Sequence, residues 1–229
     1  MNGLFDYPKA TAFGRVLPKN KIYEYGNVTS ALKERFVRQV DQITWKFKLA
    51  SETLNIEATK AVPEIQVFGI RLKASKLDDD ILRAIDKAIP FPIIFELSYE
   101  GRVQAVAAFK RPSEAESGKW VISDYFKGEW ISDSSIRSNL PVALNLGGLY
   151  DQILTSIMPT AAIENEGLKD RVERLEVIAT KTRDVARIKA RLSREKQFNK
   201  RVAINAELRT AIHDLDRLTG ETGRIVSKG

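Results

Sequence analysis

The stretch FPIIFELSYEGRVQAVAAFK (residues 91–110) decides the fold. Phe91, Ile93, Phe95, Leu97 and Tyr99 recur with the period of two that a strand imposes on its side chains. Glu100-Gly101 is a two-residue turn signal, and Val103, Ala105, Ala107 and Phe109 carry the alternation along a return strand. The stretch reads as an antiparallel hairpin. Glu96 is out of phase with Phe95 and Leu97 and is expected on a solvated face.

Upstream, Pro90 and Pro92 stop a helix and lead into the first of these strands. Ile81, Leu82, Ile85 and Ala88 give that helix its apolar face. The acidic run Asp78-Asp79-Asp80 suits its start better than a metal site, with Asp78 as cap and its neighbours at the positive end of the helix dipole. A strand is expected near residues 64–73. Ile43, Trp45, Phe47 and Leu49 alternate with Thr44, Lys46 and Lys48 in another. Before it, Asn27 and Thr29 offer capping oxygens to a helix over residues 29–41, carried by Leu32, Phe36 and Val40. Downstream, strands fit residues 119–126 and the surroundings of Trp130. Leu146, Leu149, Tyr150, Ile153, Leu154 and Ile157 form an amphipathic helix ending before Pro159. The order α-β-β-α-β-β-β-α predicts an α+β head, a mixed and mainly antiparallel sheet with helices on one side.

The chain has 229 residues, 43% of them hydrophobic, enough for one core of roughly 150 residues and an appendage. It has no cysteine, which excludes a disulfide framework and any thiolate metal or redox site. Residues 1–19 lack the apolar core of a signal peptide, and no apolar run approaches the roughly 18–20 residues that span a bilayer. A cytoplasmic protein without membrane association is expected. The net charge is +7. Residues 161–229 hold 16 Lys+Arg and 11 Asp+Glu, a surplus of 5. Residues 1–160 hold the remaining 21 and 19, a surplus of 2. The expected division is a head of residues 1–160, a linker over residues 159–167, and a basic helical tail of residues 161–229.

Residues 168–219 contain neither Gly nor Pro. As one helix they would run about 78 Å at about 1.5 Å per residue. Ile178, Val185, Ile188 and Leu192 share one side, whereas Phe198, Val202, Leu208, Ile212 and Leu215 fall nearly opposite on a common helical wheel. Supercoiling drifts only about 20° per heptad and does not reconcile them. A break near residues 197–200 then gives a helical hairpin of coiled-coil type. The alternative is one long helix whose halves bind different surfaces.

Within residues 181–201 stand nine cations, Lys181, Arg183, Arg187, Lys189, Arg191, Arg194, Lys196, Lys200 and Arg201, against Asp184 and Glu195. On a helix Arg183, Arg187, Arg191 and Arg194 fall within an arc of roughly 60°, opposite the Ile178 stripe. Guanidinium groups are permanently charged and bind two phosphate oxygens at once. Arg183, Arg187, Lys189, Arg191, Arg194, Lys196, Lys200 and Arg201 are therefore the candidate nucleic-acid contacts, to DNA or RNA. The same face also reads as the solvated side of a protein-binding helix.

Catalytic patterns are sparse, and no metal or cofactor is expected. His213, the only histidine, reads as a helix-surface residue. Gly147-Gly148 precedes no Lys-Ser/Thr pair and opens no phosphate loop. Glu64, Glu96 and Lys110 are the candidates for a diverged Mg²⁺ nuclease, but Ala108 occupies the position two before Lys110 where a carboxylate is expected. Trp120, Tyr125, Phe126 and Trp130 could stack bases; packing is the better reading.

The segments Pro63-Glu64-Ile65-Gln66-Val67-Phe68, Ile89-Pro90-Phe91-Pro92-Ile93-Ile94-Phe95-Glu96-Leu97, Ala107-Ala108-Phe109-Lys110-Arg111-Pro112, Asp124-Tyr125-Phe126, Leu140-Pro141-Val142-Ala143-Leu144 and Arg194-Glu195-Lys196-Gln197-Phe198-Asn199 together resemble a bacterial domain-of-unknown-function family, DUF4391. The resemblance spans nearly the whole chain. It implies a gene neighbourhood of helicase-like ATPases and DNA methyltransferases of restriction or phage-defence type, and it brings no catalytic residues. The expectation is a non-catalytic accessory subunit of a DNA-processing or defence system, partnered by a helicase or methyltransferase. The alternative is a protein–protein adaptor, including a homodimer through the tail.

Overall fold

The computed structural model describes residues 3–116, 118–160, 163 and 165–219. The chain forms two compact units, Met1–Ala161 and Ala162–Gly229. The expected linker includes residues 161, 162 and 164, which lie outside the described residues.

The first unit opens with β1 (Phe5–Asp6), β2 (Ala12–Val16), α1 (Lys19–Tyr25), α2 (Ser30–Gln39), β3 (Val40–Leu49) and α3 (Ser51–Leu54). It continues with β4 (Ile65–Leu72), α4 (Asp79–Ala88), β5 (Ile93–Tyr99), β6 (Arg102–Pro112) and β7 (Trp120–Lys127). It closes with β8 (Ile131–Ser132), β9 (Ser138–Asn139) and α5 (Leu146–Ile157). A seven-stranded sheet runs β2-β3-β4-β5-β6-β7, with β8 also paired to β6. Only β4 and β5 pair in parallel within it, joined by the α4 crossover. The fold is α+β, with a mixed, mostly antiparallel sheet.

The predicted hairpin is β5–β6. Glu100 and Gly101 both have positive φ, 44° and 69°, the turn geometry that matches strand twist. Thr29 caps α2 by accepting from the Leu32 amide at 3.3 Å. Asp78 precedes α4 but does not cap it with its side chain. Its carboxylate accepts from Gln39 Nε2 at 2.8 Å, while the Asp78 amide donates to Gln39 Oε1 at 2.8 Å. Asp80 pairs with Arg35 and Asp79 with Lys127, so each acid of the run has a side-chain partner.

The sheet is covered on both faces, not one. Ile22 of α1, Phe36 of α2 and Ile81, Leu82 and Ile85 of α4 pack with Ile43, Phe68, Ile70, Phe95 and Leu97 on the first face. Trp45, Tyr125 and Trp130 pack against that cluster, and Phe126 is buried, so these aromatics serve the core. On the second face the register sets Val67, Ile94 and Ala107 side by side. There α5 and the N-terminal segment close over them: a Cβ on Gly3 would meet both Ile157 of α5 and Ala105 of β6. Period-two reading detects the half-buried strand; β5 and the middle of β6 are buried on both sides.

Glu96 therefore stands inside the second layer, 2% exposed. A bulge between Trp45 and Phe47 turns Lys46 and Phe47 to that same side, and Lys46 Nζ reaches Glu96 at 2.5 Å. Gly69 makes this approach feasible, since a Cβ there would lie 2.7 Å from Lys46 Cδ. Arg137, just before β9, grips the same carboxylate with both terminal nitrogens at 2.5 and 3.1 Å and donates to the Phe5 carbonyl at 3.1 Å. Burial alone would raise the Glu96 carboxyl, but Arg137 and Lys46 outweigh it and hold it below the usual range. The knot ties the parallel β1–β9 pair to the sheet. Glu96→Ala strands two half-buried cations. It should cost about 3 kcal/mol, the lower end for breaking a buried pair because both cations can turn partly to water. Urea unfolding measures it, and a loss under about 1 kcal/mol would rule the knot out as a structural tie.

Candidate nucleic-acid interface

The proposed nuclease set does not assemble. Glu96 faces the second layer, whereas Lys110 points to the first, where its Nζ donates to the Asp86 and Ile89 carbonyls at 2.5 Å each. Alternation along β6 sets this orientation: Lys110 stands four residues after Val106, on the face that packs in the first layer, and the irregularity beside it places its extra residue in β7. Glu64 is bound by Gln66 at 2.6 Å and lies 3.3 Å from Lys48. Among the described residues no three His, Cys, Asp or Glu side chains group as metal ligands.

Lys110 instead belongs to a buried polar cluster. Its Nζ lies 3.5 Å from Asp86 Oδ1, both side chains being 2% exposed or less, and Tyr125 donates its hydroxyl to Asp86 Oδ2 at 2.5 Å. Arg83 lies over the Tyr125 ring and Lys110 over Trp120. Asp86 stands four residues after Leu82 and three before Ile89, inside the apolar stripe of α4, which is the signal that marks it as buried. Burial pushes its carboxyl up to about 6 against the opposing pull of Lys110 and Tyr125, and burial lowers the Lys110 amine. A carboxyl with a raised folded-state pKa contributes stability that is complete below its unfolded value and is lost as pH rises through the folded value. Between pH 4 and 7 the wild type should lose stability on the order of 3 kcal/mol relative to Asp86→Asn, measured by urea unfolding across that range. Parallel pH profiles for the two proteins would contradict this.

The second unit is a helical hairpin of α6 (Leu168–Arg194) and α7 (Phe198–Thr219), so the continuous-helix alternative is excluded. Residues 195–197 connect the helices, slightly before the expected break. Glu195 fixes the reversal: its carboxylate accepts from the Gln197 amide at 2.9 Å, and this bond lowers its pKa. At the base, Glu166 is held by two Arg174 nitrogens at 2.5 and 2.8 Å, which lower it to about 2.

The seam is shorter than the apolar spacing suggests. Val185 and Ile204 are buried, and Ile188, Leu192, Leu208, Ile212 and Leu215 are half-buried. Phe198 and Val202, expected on the packed stripe, are 78% and 53% exposed. They lie at the tip of the hairpin, where α6 ends and offers nothing to pack against.

The eight candidate cations, all exposed, divide into two groups. Arg187 pairs with Asp184 at 3.1 Å and Arg191 with Glu207 across the hairpin, beside the Lys181–Asp214 pair at 3.9 Å. Lys181, Asp184, Arg187, Arg191, Glu207 and Asp214 line one inter-helix groove and balance one another in charge. Arg187 and Arg191 thus flank the seam instead of lying opposite it. Arg183 donates to Thr180 Oγ1 at 3.2 Å. Lys189, Arg194, Lys196 and Arg201 make no ion pair with a described residue, and Lys200 helps to lower the Glu195 carboxyl. The arrangement is a strongly basic end on a stem whose inter-helix groove is balanced in charge. His213 is exposed on α7, as its position suggests.

No curated protein and no solved structure matches the chain. One family model does, that of the domain of unknown function DUF4391, over residues 5–215. This span takes in the sheet, both buried ionic clusters and almost all of the hairpin, and the chain belongs to the DUF4391 family.

Proposed function

We propose that the protein is a non-catalytic assembly subunit of a bacterial DNA-processing or defence system. In this reading it contacts the backbone of DNA or RNA through the basic hairpin while the head docks on a helicase or methyltransferase. The observation that carries it is the surplus of exposed cations on the hairpin, several of them without an ion pair to a described residue. Exposed pairs such as Arg187–Asp184 hold their partners by about 1 kcal/mol or less, so phosphates can compete for those arginines too. In the head, Glu96, Asp86 and Lys110 are engaged in holding layers together, which favours a docking role. Replacing Arg187, Arg191 and Arg194 with Ala should weaken binding of an oligonucleotide and reduce the slope of log K against log salt by about 2–3. Fluorescence anisotropy at several salt concentrations reads both; unchanged affinity and slope would end this reading.

A second reading, a protein–protein adaptor, draws on apolar residues left bare. Ile136, Val142 and Leu144 are each more than 90% exposed, and Val177 on α6 is 47% exposed. If the hairpin builds a homodimer, light scattering should give twice the chain mass for the full protein and a single mass for residues 1–160. A monomer in both cases removes the dimer form of this reading.

A further inference from the structure

The hairpin tip combines two features that the stem lacks. Residues 194–202, REKQFNKRV, carry four cations and one acid, a surplus of 3 out of the surplus of 5 in residues 161–229. The single acid, Glu195, is occupied in closing the turn on the Gln197 amide. Among these cations stands Phe198, 78% exposed at the first position of α7. Arg201 and Val202 follow at i+3 and i+4, on the same side of the helix. An aromatic ring so exposed loses hydrophobic free energy in water unless something covers it.

We infer that the tip is a stacking platform for single-stranded nucleic acid, with Phe198 meeting a base face and Arg194, Lys196, Lys200 and Arg201 meeting the flanking phosphates. This rests on the nucleic-acid reading above and makes it specific. Charge complementarity selects a polyanion. The lone ring beside the cations selects one with accessible π-faces, which a single strand offers and a base-paired stack hides. An anionic membrane would accept the charge, but one Phe and one Val give little apolar area to insert.

The test uses the full chain and fluorescence anisotropy with three probes of equal length, a single-stranded oligonucleotide, its duplex and an abasic strand, and co-sedimentation with phosphatidylserine vesicles as a fourth arm. The single strand should bind most tightly. Phe198→Ala should weaken it roughly 5- to 100-fold, the effect of one lost base–aromatic stack, while leaving abasic binding and the salt slope unchanged. Phe198→Trp should retain affinity, with its fluorescence quenched by the single strand. Because Phe198 is exposed, both variants should unfold at the wild-type urea midpoint. Wild-type binding of nucleic acid with no loss in Phe198→Ala, or with duplex preferred, overturns the tip inference and leaves the broader reading standing. No binding to any probe overturns both, and binding only to phosphatidylserine vesicles assigns the tip to a membrane surface instead.

Discussion

Burial of the β5–β6 hairpin on both faces is the constraint from which the rest of the head follows. A sheet with one wet face leaves charged side chains to water; a sheet between two layers cannot. Glu96 and Lys110 lie in this doubly covered region, on opposite faces, so each must be satisfied by protein. Glu96 is satisfied by two cations, Lys46 from a bulge in β3 and Arg137 from the segment before β9. Lys110 is satisfied by the last turn of α4, through two carbonyls and Asp86. Both solutions bring in segments distant in sequence, and both therefore act as ties between layers.

The hairpin manages charge differently, because water reaches nearly all of it. Its cross-helix pairs, Arg191–Glu207 and Lys181–Asp214, are exposed and weak, and their service is to favour one register of the two helices. Register in turn decides which cations have acids opposite them. Along the stem, Glu207 and Asp214 face cations of α6. Beyond Ile204, toward the turn, α7 has no acid, so Lys200 and Arg201 extend from a tip where positive charge accumulates beside Phe198. A uniform basic stretch in sequence thus becomes a graded surface in space.

Much of the head was legible from period and punctuation. The β5–β6 turn, the α2 cap at Thr29 and the apolar faces of α4 and α5 each rest on local rules that tertiary contacts reinforce. The first 25 residues were not legible, since β1 has two residues, β2 is largely exposed, and α1 buries only Ile22. Alternation places Glu96 in water because it cannot distinguish a strand covered once from one covered twice. A helical wheel places Phe198 on the packed stripe because it carries no information on where the partner helix ends. For the candidate interface, the cationic stretch could be read directly, but which of its members pair with Asp184 and Glu207 could not.

By itself the sequence determined the α+β class, the hairpin at Glu100-Gly101 and the basic helical tail, since these follow from spacing along the chain; it favoured a reversal in that tail and left one long helix as the alternative. Only the tertiary structure decided which charges are buried, which cations find a carboxylate, and which aromatic is left bare. Those outcomes depend on distances between residues far apart in sequence, and electrostatic and packing free energies are set by such distances and by the exclusion of water.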